Sequence, residues 1–325
     1  MAVRCEDSKS TQSEIGKETI VHTTSNEKEV VPHATTQSPL DVEAEKDSKK
    51  RMESINRVCR KRNVINFLEP PTDRRDRERA WQRNNVLRHL VVSEKYKVIY
   101  CYIPKVSSTN MKRIFLVLEG LYQSITEIHT QLDLQLVLLN NQKFTEEQRQ
   151  YMLKNFYKFM IVRDPFERLV SAFLHKFRRM NHQIFSSLTK PNRNNTKTII
   201  AGRNVSFTEF ALHLINNPPW MFDMHFMPYE DLCRPCNVKY DFIGSIDNLS
   251  RDVTHVMRQI HANETKLHVR HNRAARTKTK QATADFLKEL SRKYFDQLLA
   301  VYKTDHELFG YPLPEYDTLD KRYPA

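Results

Sequence analysis

The sequence predicts one large α/β domain behind a polar N-terminal tail. Three observations carry that expectation. The 325 residues suit a single large domain with enough apolar side chains to bury a core. Short apolar runs rich in β-branched and aromatic residues alternate with stretches of helical period. Two of those runs end in polar junctions that open a helix, at residues 102–113 and 161–171.

In the first junction, Tyr96-Lys-Val-Ile-Tyr-Cys-Tyr-Ile103 reads as a buried strand. Met111, Phe115, Leu118 and Tyr122 then recur about one helical turn apart, as one face of a helix does. Lys105, Val106, Ser107, Ser108, Thr109, Asn110 and Met111 fill the join. A strand, a turn of small polar residues and a helix N-terminus make an anion site, because backbone N–H groups and the helix dipole favour negative charge. Lys105 adds a point charge and the hydroxyls add donors.

The second junction repeats the design. Phe159-Met-Ile-Val162 reads as a short strand and Arg163 stands at its end. Asp164 fits an N-cap and Pro165 the first helical position. Phe166, Leu169, Val170, Phe173, Leu174 and Phe177 form the apolar face, with Glu167 and Arg168 between them. Ser171 lies about two turns in, so Arg163 and Ser171 converge only on a ligand lying along the first turns. A guanidinium plus a hydroxyl suits a phosphate monoester.

The remaining segments follow in order. Residues 1–50 are polar, carry more acidic than basic side chains and lack an apolar period, so they read as a disordered tail. The formal excess of +13 therefore falls on the rest of the chain. Residues 51–85 read as a basic, solvated, partly helical connector with interleaved acids. Residues 132–139 are short and apolar and fit helix or strand. Thr145-Glu-Glu-Gln148 is a capping box opening a helix to about Asn155. Residues 186–206 read as a polar surface loop, and Phe207–Ile215 as a short amphipathic helix. Residues 268–280 are densely basic. A last helix spans 283–303 with Gly310 as its stop, and a polar, Pro-broken tail covers 312–325.

Several function classes fall away. Only five glycines are present, with neither Gly-x4-Gly-Lys-Ser/Thr nor Gly-x-Gly-x-x-Gly. No zinc-finger, helix-turn-helix or RNA-binding signature accompanies the positive charge, which argues against nucleic acid as a partner. Cys233-x-x-Cys236 lacks a second pair at zinc spacing, and no other metal-ligand cluster appears. The cysteines are Cys5, Cys59, Cys101, Cys233 and Cys236, and an odd total leaves their pairing open. Asn-x-Ser/Thr sequons at Asn194 and Asn204 lie in the polar loop and are the sites of glycosylation if the chain enters a secretory lumen; Asn248 and Asn263 match as well.

Pro-Lys-x-x-x-Thr-Asn-x-Lys-Arg followed by Val-Arg-Asp-Pro-Phe-Glu-Arg-Leu-Val-Ser-Ala resembles the Golgi carbohydrate sulfotransferases. The similarity is to the branch of chondroitin, dermatan and N-acetylgalactosamine 4-O-sulfotransferases and the glucuronyl 3-O-sulfotransferase. Leu90-Val-Val-Ser-Glu-Lys, Leu232-Cys-Arg-Pro-Cys236, Tyr240-Asp-Phe-Ile-Gly244 and Leu308-Phe-Gly-Tyr311 agree in order, so the domain spans about 86–311. The resemblance implies a central parallel sheet flanked by helices, sulfotransferase-like and related to the P-loop NTPases. It also implies 3′-phosphoadenosine 5′-phosphosulfate (PAPS) as donor and no metal. Residues 105–111 would hold the 5′-phosphosulfate; residues 163–171, through Arg163 and Ser171, would hold the 3′-phosphate. An anionic or N-acetylgalactosamine-containing glycan would be the acceptor. Lys105 would stabilise the leaving phosphate. His225 stands where the family has a His-Trp pair and is the candidate base; His175 is a second.

The chain departs from the family at Ser107 and Ser108, where a small residue and cysteine are usual, and at Met111, where tryptophan is usual. A catalytically weakened protein that binds anionic glycans is therefore the alternative. The family is Golgi-anchored by one N-terminal span. No apolar stretch of that length and no signal peptide occurs in this sequence, so a cytoplasmic form stands beside the Golgi expectation.

Overall fold

The computed structural model describes residues 38–62, 66, 68–70, 73, 76–128, 135, 137–179, 205–263 and 273–324. Asn194, Asn204, most of the expected polar loop at 186–206 and residues 268–272 of the basic segment lie outside the described residues.

A four-stranded sheet runs in the order β1-β2-β3-β4. Its strands are β1 (Leu90–Ser93), β2 (Val98–Cys101), β3 (Tyr157–Val162) and β4 (Phe242–Ser245). β2, β3 and β4 are parallel, but β1 pairs antiparallel with β2. The expected central parallel sheet is present as β2-β3-β4, and β1 adds an antiparallel strand at its edge. Only four residues separate β1 from β2, which is enough for a hairpin and too few for a parallel crossover. Nearly every strand residue is buried, which explains the unbroken apolar runs. Tyr100, Phe115 and Phe159 stack across the centre, with Tyr100 and Phe159 centroids 5.0 Å apart. Gly244 is required by close approach: a Cβ there would sit 2.6 Å from Ile161 Cδ1 and 3.1 Å from Asp252, whose carboxylate accepts from Ser245 N–H.

Helix α3 (Ser108–Leu118) follows β2, α4 (Glu146–Asn155) precedes β3, and α5 (Pro165–Phe173) follows β3 and passes into a π-helical turn at Leu174–Arg179. The capping box at Thr145 and Gln148 forms as expected. Both parallel strands β2 and β3 thus deliver their carboxyl ends, and the two polar junctions, to one edge of the sheet, where open α/β sheets bind ligands. Helix α6 (Phe207–Ile215), α7 (Tyr229–Cys233), α8 (Leu249–Gln259), α9 (Arg273–Lys288), α10 (Arg292–Phe309) and α11 (Leu319–Arg322) complete the domain.

Three boundaries differ from expectation. The polar tail does not extend to residue 50: α1 (Pro39–Arg60) begins at a Ser38 N-cap and runs through the expected connector, whose later part holds α2 (Arg77–Leu87). α1 lies on the outer edge of β4, where Ile243 N–H donates to Ser48 Oγ (2.8 Å) and Ile243 C=O accepts from Arg51 Nη1 (3.2 Å). Asp41, buried against His255 (3.0 Å) and Arg258 (2.9 Å), pins its first turn. The expected 283–303 helix is two helices, because the Ser291 side chain caps Tyr294 N–H and starts α10 afresh. Gly310 ends α10 in the left-handed conformation, as expected. Finally, 312–325 is not a loose tail: Leu319 and Tyr323 are buried and α11 packs on α9.

Two disulfides tie the region after α6 to the rest. Cys59 of α1 pairs with Cys236, and Cys101 at the end of β2 pairs with Cys233. The Cys-x-x-Cys motif is thus divided between two partners, which leaves neither thiol for a zinc or dithiol site.

Candidate functional site

The first junction leaves β2 through two residues in left-handed conformation, Lys105 (φ 75°) and Ser107 (φ 68°). Neither is glycine, so each costs roughly 1–2 kcal/mol of local strain. Ser107 stands at the N-cap of α3, yet its side chain bonds no helix N–H; its Oγ instead accepts from Asn110 Nδ2 at 3.2 Å. The opening N–H groups of α3 are therefore not taken by a cap. Val106 and Met111 are buried in the core, so they hold the loop in place and present no surface to a ligand. Ser108 is nearly buried, while Thr109 is exposed. Lys112 lies over the Tyr102 ring at 3.6 Å, and burial pushes its ammonium down to about 8.

The second junction is built differently. Asp164 Oδ1 accepts from Phe166 N–H (3.0 Å) and Glu167 N–H (3.1 Å). The α5 terminus is thus already occupied by its own cap, and the expectation of two like anion cradles is corrected here. What remains at this junction is the Arg163 side chain. It is buried, its Nε donates to Glu167 Oε2 (3.3 Å), and its Nη2 has no hydrogen-bond partner among the described residues. A buried guanidinium N–H without an acceptor is costly, and an anionic oxygen would satisfy it. Ser171, two turns along, is half-buried.

The side chains of Pro165, Phe166, Leu169 and Val170 are buried in the core. Arg168 is corrected from ligand contact to internal tie. It is 1 % exposed, donates to Pro104 C=O (3.3 Å), Met227 C=O (2.6 Å) and Met224 C=O (3.4 Å), and stacks over Tyr229. Arg168 thereby binds the Lys105 turn to the segment carrying His225. Tyr229 does the same for the other junction: its hydroxyl donates to Arg163 C=O (2.9 Å) and accepts from Arg163 N–H (3.0 Å).

His225 is on that strap. Its Nδ1 lies 2.5 Å from Asp223 Oδ1, which also accepts from His225 N–H at 2.9 Å. Burial holds the imidazole below its ordinary value, the Asp223 carboxylate partly offsets that, and Lys176 and Lys105 push it down again. Burial raises the Asp223 carboxyl, but the His225 hydrogen bond and charge outweigh it and leave the carboxyl low. The pair is a neutral imidazole oriented by a carboxylate, with Nε2 turned away from Asp223, within the electrostatic reach of Lys105. That is the arrangement of a general base. His175 lies in the π-helical turn.

Asp223, Tyr229, Arg322 and Tyr323 were not among the expected site residues. Asp223-x-His225 is the one local signal that points to the first of them. Arg322 and Tyr323 come from the far end of the chain and donate to Asp164 at 2.8 Å and 3.1 Å.

Among known proteins, the model of the sulfotransferase family matches residues 88–312. Carbohydrate sulfotransferase 14 of Danio rerio is 30% identical over 295 residues, covering 88% of this chain and 77% of its own. Its human counterpart is 33% identical over 236 residues, covering 72% and 62%. Carbohydrate sulfotransferase 11 of Rattus norvegicus is 32% identical over 285 residues, covering 83% and 77%. The chain thus spans between 62% and 77% of the length of these relatives. No solved structure matches it. No helix among the described residues is long and apolar enough to cross a membrane.

Proposed function

The chain belongs to the sulfotransferase family and is a carbohydrate sulfotransferase, and from that premise we propose that its donor is PAPS, held between the two junctions. The observation that carries this reading is the buried Nη2 of Arg163, without a hydrogen-bond partner among the described residues, one strand away from the start of α3, where Ser107 makes no side-chain cap. Arg163, with Ser171, would hold the 3′-phosphate. Lys105 and the backbone of Ser107, Ser108 and Thr109 would hold the 5′-phosphosulfate. When bound, the donor supplies an activated sulfuryl group.

His225 Nε2 would take the proton of the acceptor hydroxyl as its oxygen attacks sulfur, with Asp223 holding the imidazolium that forms. Lys105 would stabilise the charge that develops on the leaving adenosine 3′,5′-bisphosphate. The acceptor would be an anionic or N-acetylgalactosamine-containing glycan, which suits the excess of positive charge. Two disulfides suit an oxidising compartment, and hence the Golgi lumen. The alternative of a weakened, glycan-binding fold is not favoured. In support of this, Ser107 adopts the left-handed turn without a cysteine after it, and the Met111 side chain fills the core where the family usually has tryptophan.

The test is calorimetric binding of adenosine 3′,5′-bisphosphate, followed by transfer from labelled PAPS to chondroitin and dermatan. Binding by the wild type that Arg163→Ala abolishes, with label in a glycan, is the expected result. A well-folded wild type that binds nothing overturns the donor site.

A further inference from the structure

The C-terminal segment lies beyond the part of the chain that the family model matches, yet it ends on the second junction. Leu319 is fully buried, and the Tyr316 hydroxyl donates to Leu290 C=O at 2.7 Å. Lys288 pairs with Asp320, and Arg292 with Asp317. These contacts fix α11 against the loop between α9 and α10 and bring Arg322 and Tyr323 to Asp164. Arg322 Nη2 meets Asp164 Oδ2 at 2.8 Å, and the buried Tyr323 hydroxyl meets Oδ1 at 3.1 Å. With the two α5 N–H groups, four donors converge on one carboxylate.

The charges explain what this does. Arg163 stands next to two carboxylates, Asp164 and Glu167, and Asp247 adds its field to Glu167. Without another cation that neighbourhood is net negative and repels a phosphate. Arg322 offsets one of these carboxylates, Asp164, and so reduces that repulsion. It also engages Asp164, while the Arg163 side chain, among the described residues, bonds through Nε to Glu167 and keeps Nη2 unspent. Arg322 Nε is itself buried without a partner among the described residues.

We propose that Arg322 and Tyr323 are positioning residues of the donor site, which neutralise and hold Asp164 so that Arg163 is free to take a 3′-phosphate. The proposal rests on the donor-site reading above. The segment matters for the 3′-phosphate and little for the rest of the nucleotide.

The experiment measures dissociation constants of adenosine 3′,5′-bisphosphate and adenosine 5′-monophosphate by calorimetry on the full chain, wild type and variants, with thermal melts alongside. Arg322→Gln is expected to weaken the bisphosphate about 10-fold, the scale of one charge-assisted contact, and the monophosphate much less. Arg322→Lys should restore most of the preference, and Tyr323→Phe should lose a smaller part of it. Equal loss for both ligands, or none in a folded variant, overturns the proposal. Should Arg322→Gln not fold, Tyr323→Phe, which deletes one hydroxyl, reads out the same ratio and decides the question. A wild type that binds neither ligand overturns the donor-site reading itself, and the proposal with it.

Discussion

At Lys105–Asn110 the chain leaves β2 through two left-handed residues and enters α3 without a cap bond from the Ser107 side chain. At Arg163–Glu167 it leaves β3 without strain and enters α5 through a carboxylate that takes two N–H groups and two side-chain donors. As strings of residues the two junctions look alike. As structures they divide the labour. The first keeps backbone donors available and stores strain to do so. The second spends its backbone donors internally and offers one guanidinium. Chemistry at a transferring group needs many pre-placed donors, whereas recognition of a remote phosphate needs one charged contact. The strap from Asp223 to Tyr229, held by Arg168 to the first junction and by Tyr229 to the second, keeps the two in register.

The largest effect expected from this division is on turnover. Lys105→Ala leaves the left-handed backbone penalty unchanged, because alanine has the same Cβ, and should lower kcat by ~10²–10³. Steady-state kinetics with a glycan acceptor check it; if Arg163→Ala lowers kcat as much while leaving the donor KM alone, the division of labour is wrong. Next comes the strap. Asp223→Asn should lower kcat by about 10-fold. The base acts when neutral, so activity is lost as pH falls through the His225 pKa. Asp223 raises that pKa, so the variant's acid limb in kcat/KM should move to lower pH. A limb that stays in place removes His225 from the base role.

A smaller effect separates the junctions by stability. Asp164→Ala deletes the α5 cap and should cost ~1–2 kcal/mol, seen in urea unfolding, whereas Ser107→Ala deletes no helix cap and should cost little. Smallest of all, Ser107→Gly should relieve left-handed strain and stabilise by ~0.5–1 kcal/mol. A loss instead would show that the Asn110–Ser107 bond outweighs the strain it accompanies.

Much of this was legible in the sequence for local reasons. β2 and β3 are apolar runs buried on both faces, and Asp164-Pro165 and Thr145…Gln148 are caps whose chemistry lies within four residues. What was not legible depends on distant partners. α1 reads as a polar tail and connector because its buried positions include Asp41 and Ser48, whose partners His255 and Ile243 the pattern does not reveal. The antiparallel β1 hides behind a short turn. Arg168 sits in the same motif as Arg163 and Ser171, the residues proposed to hold the donor, and its three carbonyl partners expose it as an internal tie. Arg322 reaches Asp164 across 158 positions of sequence, beyond any periodicity.

The seating of α1 on β4 has a practical consequence for anyone who trims this chain. A fragment cut to residues 88–312 would lose Ser48 and Arg51, baring the Ile243 N–H and C=O on an edge strand, and would free the Cys236 thiol. An open edge beside a reactive sulfur invites copies to join strand to strand and then cross-link. Such a fragment should run as covalent aggregates on a non-reducing gel, while one beginning at residue 38 should stay monodisperse.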